Sequence, residues 1–300
     1  VRKKFTCIWG YWLRVLKLLT PNIKLNYIST LLFTLFFIQG EALNARALVE
    51  LPTDAETIVH YGADSAKSFQ IDKPLRVAVW NVHKLADEVS LTDIKYFSYL
   101  SDLTLLQESM MGNEFADYFN DYSNYGWFGA ISFFDRSAKG TGVSTGSRVH
   151  PQYEAFVRSE VREPILGSPK MILITKYLVG GAAGKASKEL LVANIHGINF
   201  VGLYSYQKQI AQLVAAVHAH QGPMIVAGDF NTHMPARRKI LEKMAVDLKL
   251  DHVVLDNQRT GGLILDHIFE RGLDKITAGV RYDIDSSDHY PLYAQFMFQR

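Results

Sequence analysis

Several apolar runs of this chain end on groups that can do chemistry. "MIVAGDFN" (224–231) stops at Gly228 and then offers a carboxylate, Asp229, and an amide, Asn231. "VAVWN" ends on Asn81, "LTLLQE" on Glu108 and "LLVANIH" on His196, while "LILDHIF" carries Asp266 in an apolar setting. "DSSDHYPL" sets Asp288 and His289 immediately before the last apolar run. Carboxylates accept protons and bind hard cations, amides orient neighbours by hydrogen bonding, and imidazoles change charge near neutral pH. Any one of these residues has an ordinary explanation, because Asp and Asn favour the turns that follow strands. All of them together point to run ends that converge on one edge of a scaffold, where a substrate sits.

The elements that must position these groups are short β-type runs. Strands are expected at 75–81, 103–107, 129–134, 141–148, 170–178, 189–196, 223–229, 263–270 and 290–298. Three-to-four spacing of apolar residues predicts a helix over 202–222, ended by Gly222, and a second helix over 236–250. Residues 46–73 read as a polar, loosely patterned lead-in. Many strands with fewer helices predict an α+β protein with two β-sheets packed face to face and helices outside. No Gly-rich phosphate loop follows the first strand, which argues against a dinucleotide fold.

Composition narrows the classes. The chain has 300 residues, 48% hydrophobic and 21% charged, with mean hydropathy near zero, as a globular protein with a real core requires. The formal charge of +2 conceals an asymmetry: residues 1–45 hold Arg2, Lys3, Lys4, Arg14, Lys17 and Lys24 against Glu41 alone. Taking these from 32 basic and 30 acidic residues leaves 26 and 29 in the body, a net of −3, which is not the signature of a polybasic nucleic-acid binder. Cys7 is the single cysteine, so an internal disulfide and a Cys-based zinc site are both excluded.

The front segment reads as a targeting device. "ISTLLFTLFFI" (28–38) is apolar and uncharged, follows Lys24, and precedes small residues suited to cleavage at Ala42, Ala45 or Ala47. This predicts a signal peptide over 1–45 and a secreted or periplasmic mature chain. The run is short for a spanning helix, which needs about 20 residues. The alternative is an uncleaved membrane anchor preceded by a basic amphipathic stretch, with membrane association through residues 1–45.

In order along the chain, Asn81, the "LQE" Glu108, the "NIH" His196, the "GDFN" Asp229 and Asn231, the "LDHIF" Asp266 and the "SDH" Asp288 and His289 resemble the endonuclease/exonuclease/phosphatase superfamily. "WNVHK", "REPILG", "NIHGINF" and "SSDHYPL" look closest to its bacterial YafD-like branch, which implies no particular substrate. The resemblance spans roughly Pro74 to Phe298 and implies a catalytic domain over 74–300 with the four-layer αββα sandwich of DNase I. It implies a metal-dependent phosphoesterase acting on nucleic acid, phospholipid or a small phosphoester, as a monomer. By resemblance Glu108 is the leading metal ligand, with Asp288 and Asn81 assisting, for one Mg²⁺ or Mn²⁺. Asp229 is expected to orient or deprotonate water, and Asn81 and Asn231 to hold it. His196 and His289 are expected to donate to phosphate oxygens, with Asp266 fixing the tautomer of His289. Asp229 and His289 both remain candidates for the general base.

One position departs from the family pattern. Some members carry a second metal-site carboxylate two residues after the first Asn, where this chain has His83, which is equally a partly buried imidazole. Lys84 is either solvated or within reach of a phosphate, and His233 has no assigned role. The aromatic segment 118–134 reads as core, with Tyr122–Trp127 as a loop able to stack bases or meet a lipid interface. The contrasting reading is a membrane-tethered binding module on the same scaffold, whose mark would be a broken site.

Overall fold

In the computed structural model, residues 49–63, 66–120, 124–180, 188–255 and 263–299 are described. The expected targeting segment, with its candidate cleavage points Ala42, Ala45 and Ala47, and Tyr122 lie outside them. Residues 46–300 form one compact unit.

Among the described residues, the chain runs through α1 (Asp54–Thr57), β1 (Ile58–Ala63), β2 (Phe69–Gln70), β3 (Leu75–Asn81), a 3-10 turn (His83–Leu85), α2 (Ser90–Leu100), β4 (Leu103–Met111), α3 (Asn113–Phe119), β5 (Tyr125–Phe134) and β6 (Gly140–Ser147). It continues through β7 (Tyr153–Arg158), β8 (Met171–Gly180), β9 (Lys188–His196), α4 (Leu203–Val217), β10 (Met224–Asp229), α5 (Pro235–Leu248), β11 (Asp251–His252), β12 (Asp266–Arg271), β13 (Leu273–Val280) and β14 (Leu292–Phe298).

Two mixed sheets form. One has the order β1-β5-β6-β4-β3-β14-β13; the other has β11-β12-β10-β9-β8-β2, with β7 also paired to β8. Only β3–β4, β9–β10 and β2–β8 are parallel among these pairs. Their inner faces meet in one core that includes Val77, Val79, Leu105, Val192, Ile225, Ala227, Ile268 and Phe296. The apolar faces of α4 and α5 cover the second sheet through Ile210, Leu213, Leu241 and Met244. The first sheet is covered by α2 and α3, where Ile94, Phe97, Phe115 and Phe119 pack on Trp80 and Trp127. This is the expected four-layer αββα arrangement.

The lead-in segment is structured. Its strand β1 pairs antiparallel with β5 from Ile58–Ala130 to Ala63–Tyr125, and Glu50 bridges Phe134. Its composition is polar because it forms a half-exposed sheet edge. The predicted helix 202–222 ends earlier, at Val217: His218 Nδ1 turns back to the Ala215 carbonyl at 2.9 Å and His220 Nε2 to that of Pro223 at 3.0 Å. The predicted strand 263–270 begins only at Asp266. The carbonyls of Ile264 and Leu265 are taken instead by Thr232 Oγ1 and the Phe230 amide, at 2.8 and 2.9 Å.

Candidate active site

Strand periodicity explains why the polar groups converge. Side chains alternate across a sheet, so every second residue faces the core. In β10 the inward residues are Ile225, Ala227 and then Asp229; in β9 they are Leu190, Val192, Asn194 and then His196. In β3 the series Leu75, Val77, Val79 ends on Asn81, and in β4 Leu103 and Leu105 lead to Gln107. Each apolar series therefore closes on a polar group at the same edge. Register confirms the meeting point: Asp229 pairs laterally with both His196 and Asp266, and Asn81 with Gln107.

Close backbone approach shapes the edge. Gly228 has φ +144°, and a Cβ there would run into the Ile195 carbonyl oxygen. Glu108 sits at φ 54° in a bulge between Gln107 and Ser109, and Asn231 at φ 53°. The consecutive residues His83, Lys84 and Leu85 are also left-handed, at 45°, 57° and 53°. Beneath the site, Gln107 Nε2 donates to Asn194 Oδ1 at 2.7 Å, and Asn194 Nδ2 donates to the Ser144 carbonyl at 2.9 Å. This buried polar bridge joins the two sheets directly below this strand edge.

Asp229 is at the centre and 2% exposed. Its Oδ1 accepts the Asn231 amide at 2.8 Å, and its Oδ2 accepts Asn81 Nδ2 at 3.0 Å. His196 Nε2 lies 3.6 Å and His289 Nε2 3.9 Å from Asp229 Oδ2. Burial pushes the Asp229 carboxyl up to about 6, against the lowering effect of His289. Burial, with the charges of Lys170, His289 and Lys84, holds His196 well below the usual histidine range, so its imidazole is neutral.

His289 Nδ1 is 2.8 Å from Asp266 Oδ2, and both residues are buried. The His289 carbonyl accepts Trp80 Nε1 at 2.8 Å, and the Ser287 hydroxyl donates to the Asn81 carbonyl at 2.6 Å, which locks the 286–289 turn onto β3. Asp229, Asp266 and His289 each offer a ligand atom within 4.8 Å of the others, a set that can hold a metal ion.

The residues expected to bind metal lie around this buried group. Glu108 Oε1 is 3.8 Å from His196 Nε2 on the wall of a small cleft. Asp288 Oδ1 is 3.9 Å from both His83 Nδ1 and His289 Nε2, with its side chain 36% exposed. Asn81 uses Oδ1 to accept the His83 amide at 3.1 Å. Lys84 lines the same cleft as Glu108 and His196, while His83 is exposed.

Three residues not singled out from the sequence support the edge. Asn199 Nδ2 donates to Asn231 Oδ1 at 2.7 Å, and Glu163 Oε1 accepts the Asn199 amide at 3.0 Å. Lys170 Nζ stands 3.5 Å from Glu163 Oε1. They come from loops and a strand start, where periodicity gives no signal; "NIHGINF" and "REPILG" contained Asn199 and Glu163 only as phrases. Conversely, Trp127 and Phe128 of the aromatic segment are buried, with Trp127 packed on Phe115 and Phe119, so that part of the segment is core.

The model of the Endonuclease/Exonuclease/phosphatase family matches residues 78–289. A UPF0294 protein of Yersinia enterocolitica is 35% identical over 226 residues, covering 74% of this chain and 83% of that one. Among solved structures, an endonuclease/exonuclease/phosphatase from Beutenbergia cavernae superposes with a TM-score of 0.60 at 16% identity, covering 76% of this chain and 72% of that one. The human Nocturnin catalytic domain with bound sulfate anion superposes with a TM-score of 0.54 at 15% identity, covering 81% and 98%.

Proposed function

The chain belongs to the Endonuclease/Exonuclease/phosphatase family, whose members are hydrolytic nucleases and phosphatases, and from that premise we propose that it hydrolyses phosphodiester bonds with a divalent cation. The observation that carries the reading is the placement of Asp229 Oδ2 within 3.6 and 3.9 Å of two imidazole Nε2 atoms on one strand edge. A phosphoryl centre at that edge faces a proton acceptor and two nitrogen donors at once.

Asp229, held by Asn81 and Asn231, accepts the proton of the attacking water. His289, with Nδ1 on Asp266, keeps Nε2 directed toward Asp229 and donates to a phosphate oxygen. His196, neutral, donates a second hydrogen bond. The Nocturnin catalytic domain, which shares this fold, holds a sulfate anion, an analogue in shape and charge of a phosphoryl group.

The donor chemistry fits a hard cation. Mg²⁺ keeps several of its waters and takes oxygen ligands. Glu108, its side chain 20% exposed on the cleft wall, leaves room for those waters, with Asn81 on the neighbouring strand and Asp288 at the turn. The Asp229, Asp266 and His289 set is buried, and His289 Nδ1 is already engaged by Asp266 while Nε2 faces Asp229, which suits proton transfer better. When bound, the ion supplies positive charge against the developing charge of the phosphoryl oxygens.

Turnover of bis(p-nitrophenyl) phosphate with Mg²⁺ tests the reading. Asp229→Asn should reduce kcat by about 10²–10⁴, the range for losing a positioned acid or base. Equal turnover by wild type and Asp229→Asn would exclude it.

A further inference from the structure

Two loops at the mouth of the cleft carry apolar side chains into solvent. The first, 163–168, is closed on itself: the Glu163 amide donates to the Ser168 carbonyl at 2.8 Å and the Gly167 amide to the Glu163 carbonyl at 2.9 Å. Its tip holds Ile165, 65% exposed, and Leu166, which also lines the cleft with Glu108 and His196. The second leads into α4 and presents Phe200 at 69%, Leu203 at 40% and Tyr204 at 73% exposure. Glu163 joins the two by accepting the Asn199 amide, and Asn199 in turn bonds Asn231 of the site. The apolar rim and the catalytic edge are therefore one connected piece.

The rim is held out at a cost. Phe200 adopts φ +56°, a left-handed conformation that disfavours a bulky side chain by about 1–2 kcal/mol and suits Asn or Gly. The conformation lets the Phe200 amide donate to Asn199 Oδ1 at 2.8 Å, and it leaves the ring in water. Exposed apolar side chains gathered at one place mark a surface that meets something apolar. Cations stand among them: Arg162 is exposed beside the first loop, and Lys208 Nζ lies 5.0 Å from the Tyr204 ring. Apolar side chains with basic neighbours match the boundary between acyl chains and anionic headgroups.

The sequence supports the same occupant: the apolar run 28–38, expected to associate with a membrane, belongs to this chain and would bring it to a bilayer.

We infer that Ile165, Leu166, Phe200, Leu203 and Tyr204 form an interfacial docking surface that sets the catalytic mouth on a phospholipid bilayer. Taken with the proposed phosphodiester chemistry, the substrates are phosphoesters presented at a lipid surface, but docking itself requires no hydrolysis. The test uses the full-length chain with Cys7→Ser and Ile165→Cys carrying a polarity-sensitive dye, mixed with vesicles of phosphatidylcholine and phosphatidylglycerol. A second sample carries the dye through Val246→Cys, on the exposed far end of α5. The dye at 165 should shift to the blue and become shielded from aqueous iodide, while the dye at 246 stays in water. Adding Phe200→Asn and Tyr204→Ser, which keep the backbone comfortable, should cut the shielded fraction about tenfold or more. Turnover of a soluble phosphodiester by that double variant should equal wild type. A dye at 165 as wet as the dye at 246, equal shielding at both, or shielding indifferent to the double substitution would each overturn the docking surface. Absence of any hydrolysis alongside a shielded 165 would remove the phosphodiesterase reading and leave the docking surface standing.

Discussion

Asp266 Oδ2 and His289 Nδ1 are 2.8 Å apart in a setting where both side chains are almost wholly buried, and the pair stands beside Asp229, whose Oδ2 is 3.9 Å from His289 Nε2. A buried carboxylate on one imidazole nitrogen fixes which nitrogen faces the reaction. His289→Ala should lower kcat by about 10²–10⁴. Asp266→Asn should cost a comparable factor with little change in Tm, and the double variant should be scarcely worse than either single one, because groups that act as a unit are non-additive. Steady-state kinetics and thermal melting of the three variants decide it. Rate losses that multiply would dissolve the dyad.

Gly228 prepares the edge on which Asp229 stands. At φ +144°, and with the Ile195 carbonyl where a Cβ would go, alanine must move β10 away from β9. Gly228→Ala should destabilise the protein by more than about 2 kcal/mol, through strain and backbone clash together. Urea unfolding measures this; a loss below about 0.5 kcal/mol, the size of a neutral surface change, would contradict the geometry.

His267 supplies a pH dependence of stability. It is buried, with Nε2 2.6 Å from Thr232 Oγ1 and Nδ1 3.1 Å from His252 Nε2. Burial, then the charges of His252 and Arg238, hold it down to about 3. Unfolded, it titrates near the ordinary histidine value of 6.5. Between those values the unfolded chain binds a proton that the native chain refuses, so stability falls as pH drops below 6.5. From pH 7 to 5 the loss is about 2 kcal/mol from this group. His252, His220 and His233 are also lowered and add to the slope, so the comparison is with His267→Gln. Its stability should fall less steeply over that interval; equal slopes would refute the role of His267.

The edge was readable because each strand states it twice. Leu75, Val77, Val79 and Asn81 form one alternating series, and so do Ile225, Ala227 and Asp229; both the strand and its polar terminus are present in the pattern. Strand β7 and strand β13 were not read. Both are sheet edges whose faces are half-exposed or exposed, so burial imposes little alternation on them. Helix α2 carried a usable signal, with Ser90, Ile94, Phe97 and Ser98 buried at helical spacing, but two of these are serines and hide it from a hydrophobic count. Asn199 and Glu163 could not be placed from sequence, because their roles depend on two loops meeting at one hydrogen bond. That Asp229 stands beside Asp266 follows from lateral register, which sequence does not state, whereas the pairing of Asp266 with His289 was expected from the resemblance.

The most direct measurement is hydrolysis of bis(p-nitrophenyl) phosphate by the full-length chain before and after exhaustive chelation, followed by return of single metal ions. The oxygen donors around Glu108 predict that chelation abolishes turnover and that Mg²⁺ or Mn²⁺ restores it, with Zn²⁺, which prefers nitrogen and sulfur, a poor substitute. Glu108→Gln should raise the Mg²⁺ concentration needed for half-maximal turnover while leaving Tm near wild type. Turnover that persists undiminished in the chelated protein would contradict a metal-dependent phosphoesterase.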